Sequence, residues 1–205
     1  MKFEHTEVFN FEGAIRGMRN PMDSWGKSDS HSFLECECFF IGGNDLNLAQ
    51  SLSKAGGEHR KYLRQIFVSV DISAPRYWWA EFDTYKIGTV ANSCSTMHTL
   101  TRKAITSDMF ELDYVDEFDS NLISHLDTLR CLYNETKDIK YFRKLKQLLP
   151  ESFIQKRTVT MNYENILNMI NQRSAHKLKE WSVDFIKWAK SLSYANSLLF
   201  LEESK

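Results

Sequence analysis

A strict alternation of side chains between residues 65 and 72 constrains the fold more than any other part of this sequence. Four β-branched residues at every second position share one face, and these are Ile66, Val68, Val70 and Ile72. Successive side chains of a β-strand point to opposite faces, so this period of two predicts a strand with one buried face. A second alternation predicts another half-buried strand from Phe33 to Phe40, which Gly42 and Gly43 end.

Helical periodicity follows the predicted strand at residues 65–72 and dominates the later half of the chain. Pro75 suits the first turn of a helix, and Trp78, Phe82 and Tyr85 then recur at helical spacing, with Gly88 as the predicted stop. Apolar stripes predict further helices over Leu46–Lys54, Leu122–Tyr133, Tyr163–Gln172 and His176–Leu192. Strands early and helices late favour the α+β class over an alternating βαβ sheet.

Composition limits the class of protein. A chain of 205 residues is long enough for one well-packed domain spanning 1–205. The net charge of −1 argues against nucleic-acid binding through bulk electrostatics. Because no apolar run is long enough for a bilayer and the N-terminus lacks a signal core, we expect no membrane partner. Four cysteines do not suggest a disulfide framework, so a reducing, cytoplasmic setting is expected.

Asn162 and Arg173 are the polar pair that most suggests a binding site. On a helix they are separated by about three turns, and Ile166, Met169 and Ile170 lie on the same stripe. Both polar groups could therefore face a buried pocket. Equally, asparagine is a common N-cap and arginine is favoured at a helix C-terminus, which would give both residues a purely structural role.

The cysteines carry two weaker hypotheses. Cys36 and Cys38 could bind a metal, but alternation places both on the inner face of the predicted strand and no second ligand pair follows, so no metal is expected. Cys94 and His98 are four residues apart and could form a reactive thiol–imidazole pair if that segment is helical.

A basic cluster precedes Pro150. Arg143, Lys144 and Lys146 could form a solvated helix face, or Lys146 could turn inward and contact a phosphate group. The sequence contains neither of the glycine-rich phosphate-binding loops that are recognisable by spacing.

Three blocks of the sequence together resemble flavin-dependent thymidylate synthases. Ala14–Arg19 is similar to an early Ala-x-Arg-x-x-Arg helix of that family. Phe67–Met97 is similar to the family's strand, Ala-Pro, aromatic helix and signature loop, and Leu149–Arg173 matches its C-terminal segment without gaps. The order and spacing of the blocks identify the chain as a divergent relative.

The resemblance implies an antiparallel sheet packed with helices, and a homotetramer with flavin sites between subunits. It also implies methyl transfer to C5 of dUMP or a related pyrimidine nucleotide, with FAD as cofactor and with folate and NADPH as co-substrates. Arg173 matches an arginine that polarises the uracil ring, so it is the candidate catalytic residue. Flavin-binding positions fall on His59, Lys86, Thr89, Asn162 and Asn168, and nucleotide-binding positions on Glu81, Thr84, Cys94, Lys146 and Arg173.

The chain departs from the family at its signature motif. Thr84-Tyr85-Lys86 stands at the family's Arg-His-Arg, and Cys94–Met97 stands at its Ser-x-Arg-Tyr, while a shift of one residue would instead align Asn92 and Ser95 with the family's Asn and Ser. Either alignment removes arginines that a lysine cannot replace as bidentate donors. Glu164 also replaces a common basic residue. The alternative function is therefore a non-catalytic homologue that sequesters or senses a nucleotide or flavin.

Overall fold

The structure is a computed structural model that describes residues 1–33 and 38–201. Four strands form one sheet in the order β1–β4–β6–β5, and two short strands form a separate antiparallel ribbon. The strands are β1 Lys2–Phe9, β2 His31–Phe33, β3 Cys38–Phe40, β4 Phe67–Pro75, β5 Val90–Ser93 and β6 Ile154–Asn162. With the helices below, this confirms the predicted α+β class with an antiparallel sheet.

The helices of the described chain vary widely in length. They are α1 Phe11–Met18, α2 Gly43–Lys54, α3 Arg76–Phe82, α4 Thr96–Thr99, α5 Glu117–Thr136, α6 Ile139–Leu148, α7 Tyr163–Arg173, α8 Ile186–Lys190 and α9 Ala195–Leu198. A π-helical segment, Glu180–Phe185, leads directly into α8. No helix among residues 1–33 and 38–201 is both long enough and apolar enough to cross a membrane.

Strand β4 has the alternation that its sequence predicts. Ile66 just before the strand and Val68, Val70 and Ile72 within it are completely buried, whereas Phe67 between them is exposed. The opposite face is only partly covered, with Phe67 stacked on Phe9, and this difference in burial between the faces is why the period of two is so regular.

The predicted single strand from Phe33 to Phe40 is wrong. The chain reverses within this stretch, so that Phe33 of β2 pairs with Cys38 of β3 and His31 pairs with Phe40. A period of two is the same on both sides of a reversal, so alternation alone cannot reveal one. Cys36 lies outside the described residues, and with it the Cys36–Cys38 metal hypothesis.

Two predicted helices have different bounds in the structure. Helix α3 buries Trp78 and Phe82 as expected, but it ends at Phe82 and leaves Tyr85 outside the helix. The helix predicted over His176–Leu192 begins with the π-helical segment at Glu180 and ends with α8 at Lys190. Its apolar residues Trp181, Phe185 and Trp188 are buried, as the periodicity predicts, because the stripe continues through the π-helical turn.

The chain separates into two compact units, each built from segments that are distant in sequence. The first unit comprises residues 1–2, 71–84 and 91–158, and the second comprises 3–70, 85–90 and 159–205. The first has a core of side chains beneath α5 and α6, formed by Leu100, Ile105, Phe110, Leu126, Leu129, Leu145 and Leu149.

In the second unit, Arg19 of the first sequence block is a structural residue. Its guanidinium is buried and donates to the fully buried Asp45, which also accepts from Ser28 and Ser30. Burial raises the pKa of the Asp45 carboxyl, but these hydrogen bonds and the arginine charge hold it below its usual value. The ion pair therefore joins the end of α1 to α2 and to the loop that precedes the ribbon.

Candidate functional site

Residues 85–90 lie along helix α7 within the second unit. Tyr85 meets the helix at its C-terminal end, where it contacts Arg173. At the other end Asn165 Nδ2 donates to the carbonyl of Ile87 at 2.7 Å, and Gly88 approaches Asn162 and Asn165. The two residues that sequence spacing paired, Asn162 and Arg173, therefore both face this one segment.

The Arg173 side chain is half-buried, and contacts with Tyr85 and Trp181 fix its orientation. Its Nε donates to Tyr85 Oη at 2.8 Å, and the same hydroxyl donates to Gln172 Oε1 at 3.0 Å. The guanidinium carbon lies 5.1 Å from the centre of the Trp181 ring and 5.6 Å from that of Tyr85. Aromatic faces attract a cation at this range, so Arg173 is a fixed guanidinium rather than a mobile surface group.

Asn162 is the N-cap of α7, which confirms the structural interpretation of that residue. Its Oδ1 accepts from the backbone N–H of Asn165 at 3.0 Å, and Asn165 Oδ1 accepts from the Asn162 N–H at 3.1 Å. Capping uses only the carbonyl oxygen of the side chain. The amide NH2 of Asn162 donates to no residue in the described part of the chain, and it can still bind a ligand.

Asn168, nearly two turns further along α7, is half-buried, and its side-chain oxygen also accepts a hydrogen bond. Its Oδ1 accepts from Arg60 Nη2 at 3.2 Å, whereas its NH2 group has no acceptor among residues 1–33 and 38–201. The side-chain NH2 groups of both Asn162 and Asn168, the two asparagines predicted to contact flavin, can therefore still donate hydrogen bonds to a ligand.

Glu164 forms an ion-pair cluster on the first turn of α7. Arg60 Nε donates to its Oε1 at 3.2 Å, and Arg64 Nε donates to its Oε2. Burial by itself raises the pKa of the Glu164 carboxyl, but the hydrogen bonds and charges of Arg64 and Arg60 outweigh this and hold the pKa below its usual value. Sequence reasoning missed both arginines, since they are 104 and 100 positions away from their partner.

The other predicted flavin contacts are more exposed. Lys86 lies at the surface, and Thr89 Oγ1 donates to the carbonyl of Tyr85, which tightens the 85–90 segment. His59 is exposed at the rim of a cavity of about 460 Å³, also lined by Met18 and Tyr62. These residues lie in the second unit, together with Asn162, Asn168 and Arg173.

Lys146 belongs to the first unit and turns away from its basic neighbours. It is half-buried and donates to Thr96 Oγ1, whereas Arg143 and Lys144 on the same helix are exposed. Burial lowers the pKa of the Lys146 ammonium, and the nearby positive charge of Arg76 lowers it further. No carboxylate pairs with Lys146 in the described chain, so this ammonium can still bind an anion.

The remaining predicted nucleotide contacts also lie in the first unit. Thr84 is exposed and donates to the carbonyl of Glu81 at 2.7 Å. Cys94 is exposed, and its thiol lies 3.7 Å from Thr99 Oγ1. Cys94 precedes helix α4, and within residues 1–33 and 38–201 its thiol forms no hydrogen bond with His98. The helical spacing on which the thiol–imidazole hypothesis depended is therefore not present.

Two arginines of the first unit that could bind a phosphate group, Arg76 and Arg157, are both paired with acids. Arg76 lies 3.1 Å from Glu151, and Arg157 lies 2.7 Å from Asp83 with its guanidinium over the Trp79 ring. A phosphate group would have to displace these carboxylates to bind either arginine.

No protein-family model and no curated protein matches this sequence. Among solved structures, two of the flavin-dependent thymidylate synthase ThyX from Helicobacter pylori, both with FAD and dUMP, match almost the whole chain. Their TM-scores are 0.76 and 0.75 at 18% and 19% identity, over 98% of this chain and over 98% and 97% of theirs. The chain therefore has the flavin-dependent thymidylate synthase fold, which confirms the fold that the resemblance implied.

Proposed function

We propose that this protein is a divergent flavin-dependent thymidylate synthase-like enzyme that methylates C5 of dUMP or a related pyrimidine nucleotide. FAD is the proposed cofactor, and folate and NADPH are the proposed co-substrates. The observation that carries the proposal is the anchored guanidinium of Arg173, which Tyr85 and Trp181 hold beside a helix that still offers two amide donors. The proposed setting is pyrimidine biosynthesis in the cytoplasm, with the homotetramer that the resemblance implies.

The residues present fit an isoalloxazine ring. A flavin ring has several acceptors and needs donors from the protein, and the NH2 groups of Asn162 and Asn168 supply two. Asn162 and Asn168 would hold the flavin, which would supply the redox chemistry needed to transfer a folate-derived methylene to the uracil ring. The protein's own contribution is orientation and electrostatics.

Arg173 is proposed to act on the uracil ring. A guanidinium held in place can donate to the ring as negative charge develops on it, and a donor that is already oriented costs no reorganisation at that moment. Its contacts with Tyr85 and Trp181 provide that preorganisation. In the first unit, Lys146 is proposed to bind the nucleotide phosphate as a single point charge.

The second candidate function is a non-catalytic nucleotide- or flavin-binding homologue. The exposed Thr84, Lys86 and Cys94 favour it, because they replace signature residues and none of them reproduces a guanidinium. Each lost charge-assisted contact weakens binding by about 1.5–3 kcal/mol. The protein could thus keep a pocket while losing turnover.

Two measurements, made one after the other, distinguish the two candidate functions. The visible absorption spectrum of the purified protein is recorded before and after FAD is added, and dUMP methylation is then assayed with folate and NADPH. Flavin uptake with turnover supports the enzyme, and binding of flavin or dUMP without turnover supports the binder. A protein that takes up neither ligand contradicts both candidates.

Arg173→Lys provides the matched control for these assays. Lysine keeps the positive charge but loses the planar guanidinium. We expect unchanged flavin uptake and a large loss of turnover. Full activity in this variant would contradict the role proposed for Arg173.

A further inference from the structure

The segment that leads into α5 carries an exposed patch that is both aromatic and acidic. Tyr114, Val115 and Phe118 are 75%, 52% and 74% exposed. Acidic side chains surround them, and the three that form no ion pair within the described chain are Asp116, Glu117 and Asp119. Asp116 and Asp119 cap α5 by accepting backbone N–H groups, whereas Tyr114 and Phe118 stay largely in water. Large aromatic side chains exposed next to one another are typical of a binding surface.

The opposite charge lies at the start of α6. Ile139 is 58% exposed there. The basic side chains beside it are Lys137, Lys140, Arg143 and Lys144, of which only Lys140 forms an ion pair within the described residues, with Asp138. We call these residues the basic patch, and we call Tyr114–Asp119 the acidic patch.

The two patches lie at opposite ends of one helical hairpin in the first unit. Helix α5 has 20 residues and is therefore about 30 Å long. Only Lys137 and Asp138 connect it to α6, so the basic patch is at the far end from the acidic patch. Between the patches the exposed residues of α5 over its first three turns are Ser120, Asn121, Ser124, His125 and Thr128, which include no acid, lysine or arginine. The last turn adds the exposed Glu135 and Thr136 beside the basic patch.

We propose that two copies of this chain associate through an antiparallel contact between their α5–α6 hairpins, with the acidic patch of each copy against the basic patch of the other. Charge complementarity supports a second copy as the occupant. Asp116, Glu117 and Asp119 form no ion pair within the described chain, and neither do Lys137, Arg143 and Lys144 of the basic patch. A two-fold axis forms both patch contacts at once, and the small uncharged side chains at the centre of α5 allow close approach.

The contact is independent of catalysis. It is also compatible with the proposed tetramer, because two such pairs can assemble into one. Its failure is therefore distinguishable from failure of the proposed function, which is tested by flavin uptake and turnover.

Charge reversal with mixing tests the proposal. One variant carries Glu117→Lys and Asp119→Lys, and the other carries Arg143→Glu and Lys144→Glu. Each variant alone presents two patches of the same sign, so we expect its mass by light scattering to fall to half that of the unmodified protein. An equimolar mixture restores opposite charges at both contacts, and we expect the original mass to return.

Two controls accompany the mixing experiment. A variant with Lys177→Glu and Lys187→Glu changes the net charge as much as Arg143→Glu with Lys144→Glu does, but at exposed positions outside the hairpin. Its mass should equal that of the unmodified protein. Phe118→Ser should weaken association at least tenfold while leaving the melting temperature unchanged, because that side chain is largely exposed. Raising the salt concentration should weaken association of the unmodified protein.

Three results would overturn the proposal. The first is an unmodified protein that is monomeric at every concentration. The second is an unchanged mass in both reversal variants, which would place the interface elsewhere on the chain. The third is a mixture of folded variants, verified by circular dichroism, that does not regain the original mass.

Discussion

The hydroxyl of Tyr85 accepts a hydrogen bond from Arg173 Nε at 2.8 Å and donates one to Gln172 at 3.0 Å. A phenol has one proton to donate and can accept as well, so both contacts are satisfied together. Tyr85 stands at the histidine of the Arg-His-Arg motif in the alignment anchored on Ala74-Pro75. Residues 84–86 of this chain contain no arginine, but Tyr85 holds the arginine proposed for catalysis.

Replacing Tyr85 by phenylalanine should release Arg173. The aromatic ring stays, but Arg173 Nε and Gln172 Oε1 lose their partner, so the free energy of unfolding should fall by about 1 kcal/mol. Chemical denaturation measures this loss. If flavin and nucleotide bind, we expect flavin uptake to persist and turnover to fall. Equal stability and turnover in the variant would show that the hydroxyl does not position Arg173.

Gly88→Ala should disturb the packing of residues 85–90 on α7. Gly88 has a φ of +78°, and an added Cβ would lie 2.9 Å from Asn165 Oδ1 and 3.0 Å from Asn162 Nδ2. Strain and crowding together should lower the free energy of unfolding by about 1–3 kcal/mol.

Two other glycines are matched controls for this change. Gly56 has a φ of +103° with no atom within 4 Å of its added Cβ, so Gly56→Ala reports the backbone strain alone. Gly57 has neither a positive φ nor a close neighbour, so Gly57→Ala should be nearly neutral. If thermal unfolding shows Gly88→Ala to be no worse than Gly56→Ala, crowding against the asparagines is absent.

Glu164→Gln should remove an acid-sensitive part of the stability. Arg64 and Arg60 hold the pKa of Glu164 below its usual value in the folded state, so its ionised form contributes stability above the unfolded-state pKa, and this stability is lost as the pH falls through the folded-state pKa. At neutral pH we expect a loss of about 1–3 kcal/mol in the variant, since Arg60 and Arg64 lose a charged acceptor.

Denaturation of both proteins between about pH 6 and about pH 3 measures this effect. The difference between them should shrink as the pH falls, because the native carboxyl becomes protonated and resembles the amide. A difference that stays constant through this range would exclude Glu164 as the titrating group.

Lys146→Met should weaken nucleotide binding without affecting flavin uptake. A charge-assisted contact to phosphate contributes about 1.5–3 kcal/mol, so affinity for dUMP should fall about tenfold or more. Lys146→Arg keeps the charge and should bind at least as well, while Arg143→Met changes an exposed neighbour and should have no effect. Calorimetric titration of the three variants measures this, and equal affinities would contradict the phosphate role.

Parts of this structure could be predicted because they are local. The alternation of Ile66–Ile72 and the apolar stripe of Tyr163–Gln172 gave a strand and a helix within three residues of their observed bounds. Strand β6 was not predicted, because its first half is at least partly exposed at every residue and only Val159 and Met161 mark a buried face. The β2–β3 ribbon was not predicted either, because its alternation continues through a chain reversal.

Some features of the candidate site could also be predicted from local spacing, and others could not. Spacing on one helix was enough to pair Asn162 with Arg173, and capping preference was enough to identify Asn162 as an N-cap. Spacing could not supply Tyr85, which is 88 positions from Arg173, nor the arginines that hold Glu164. Such contacts depend on how distant segments pack, and no local period encodes them.

The sequence by itself determined the class of fold, the register of its main strand and the helix that carries the proposed catalytic arginine, because backbone geometry imposes a period that side chains must follow. Only the tertiary structure decided which groups surround that arginine and which arginines are already paired with acids. Those outcomes depend on contacts between residues up to about a hundred positions apart, where charge and burial are settled by packing.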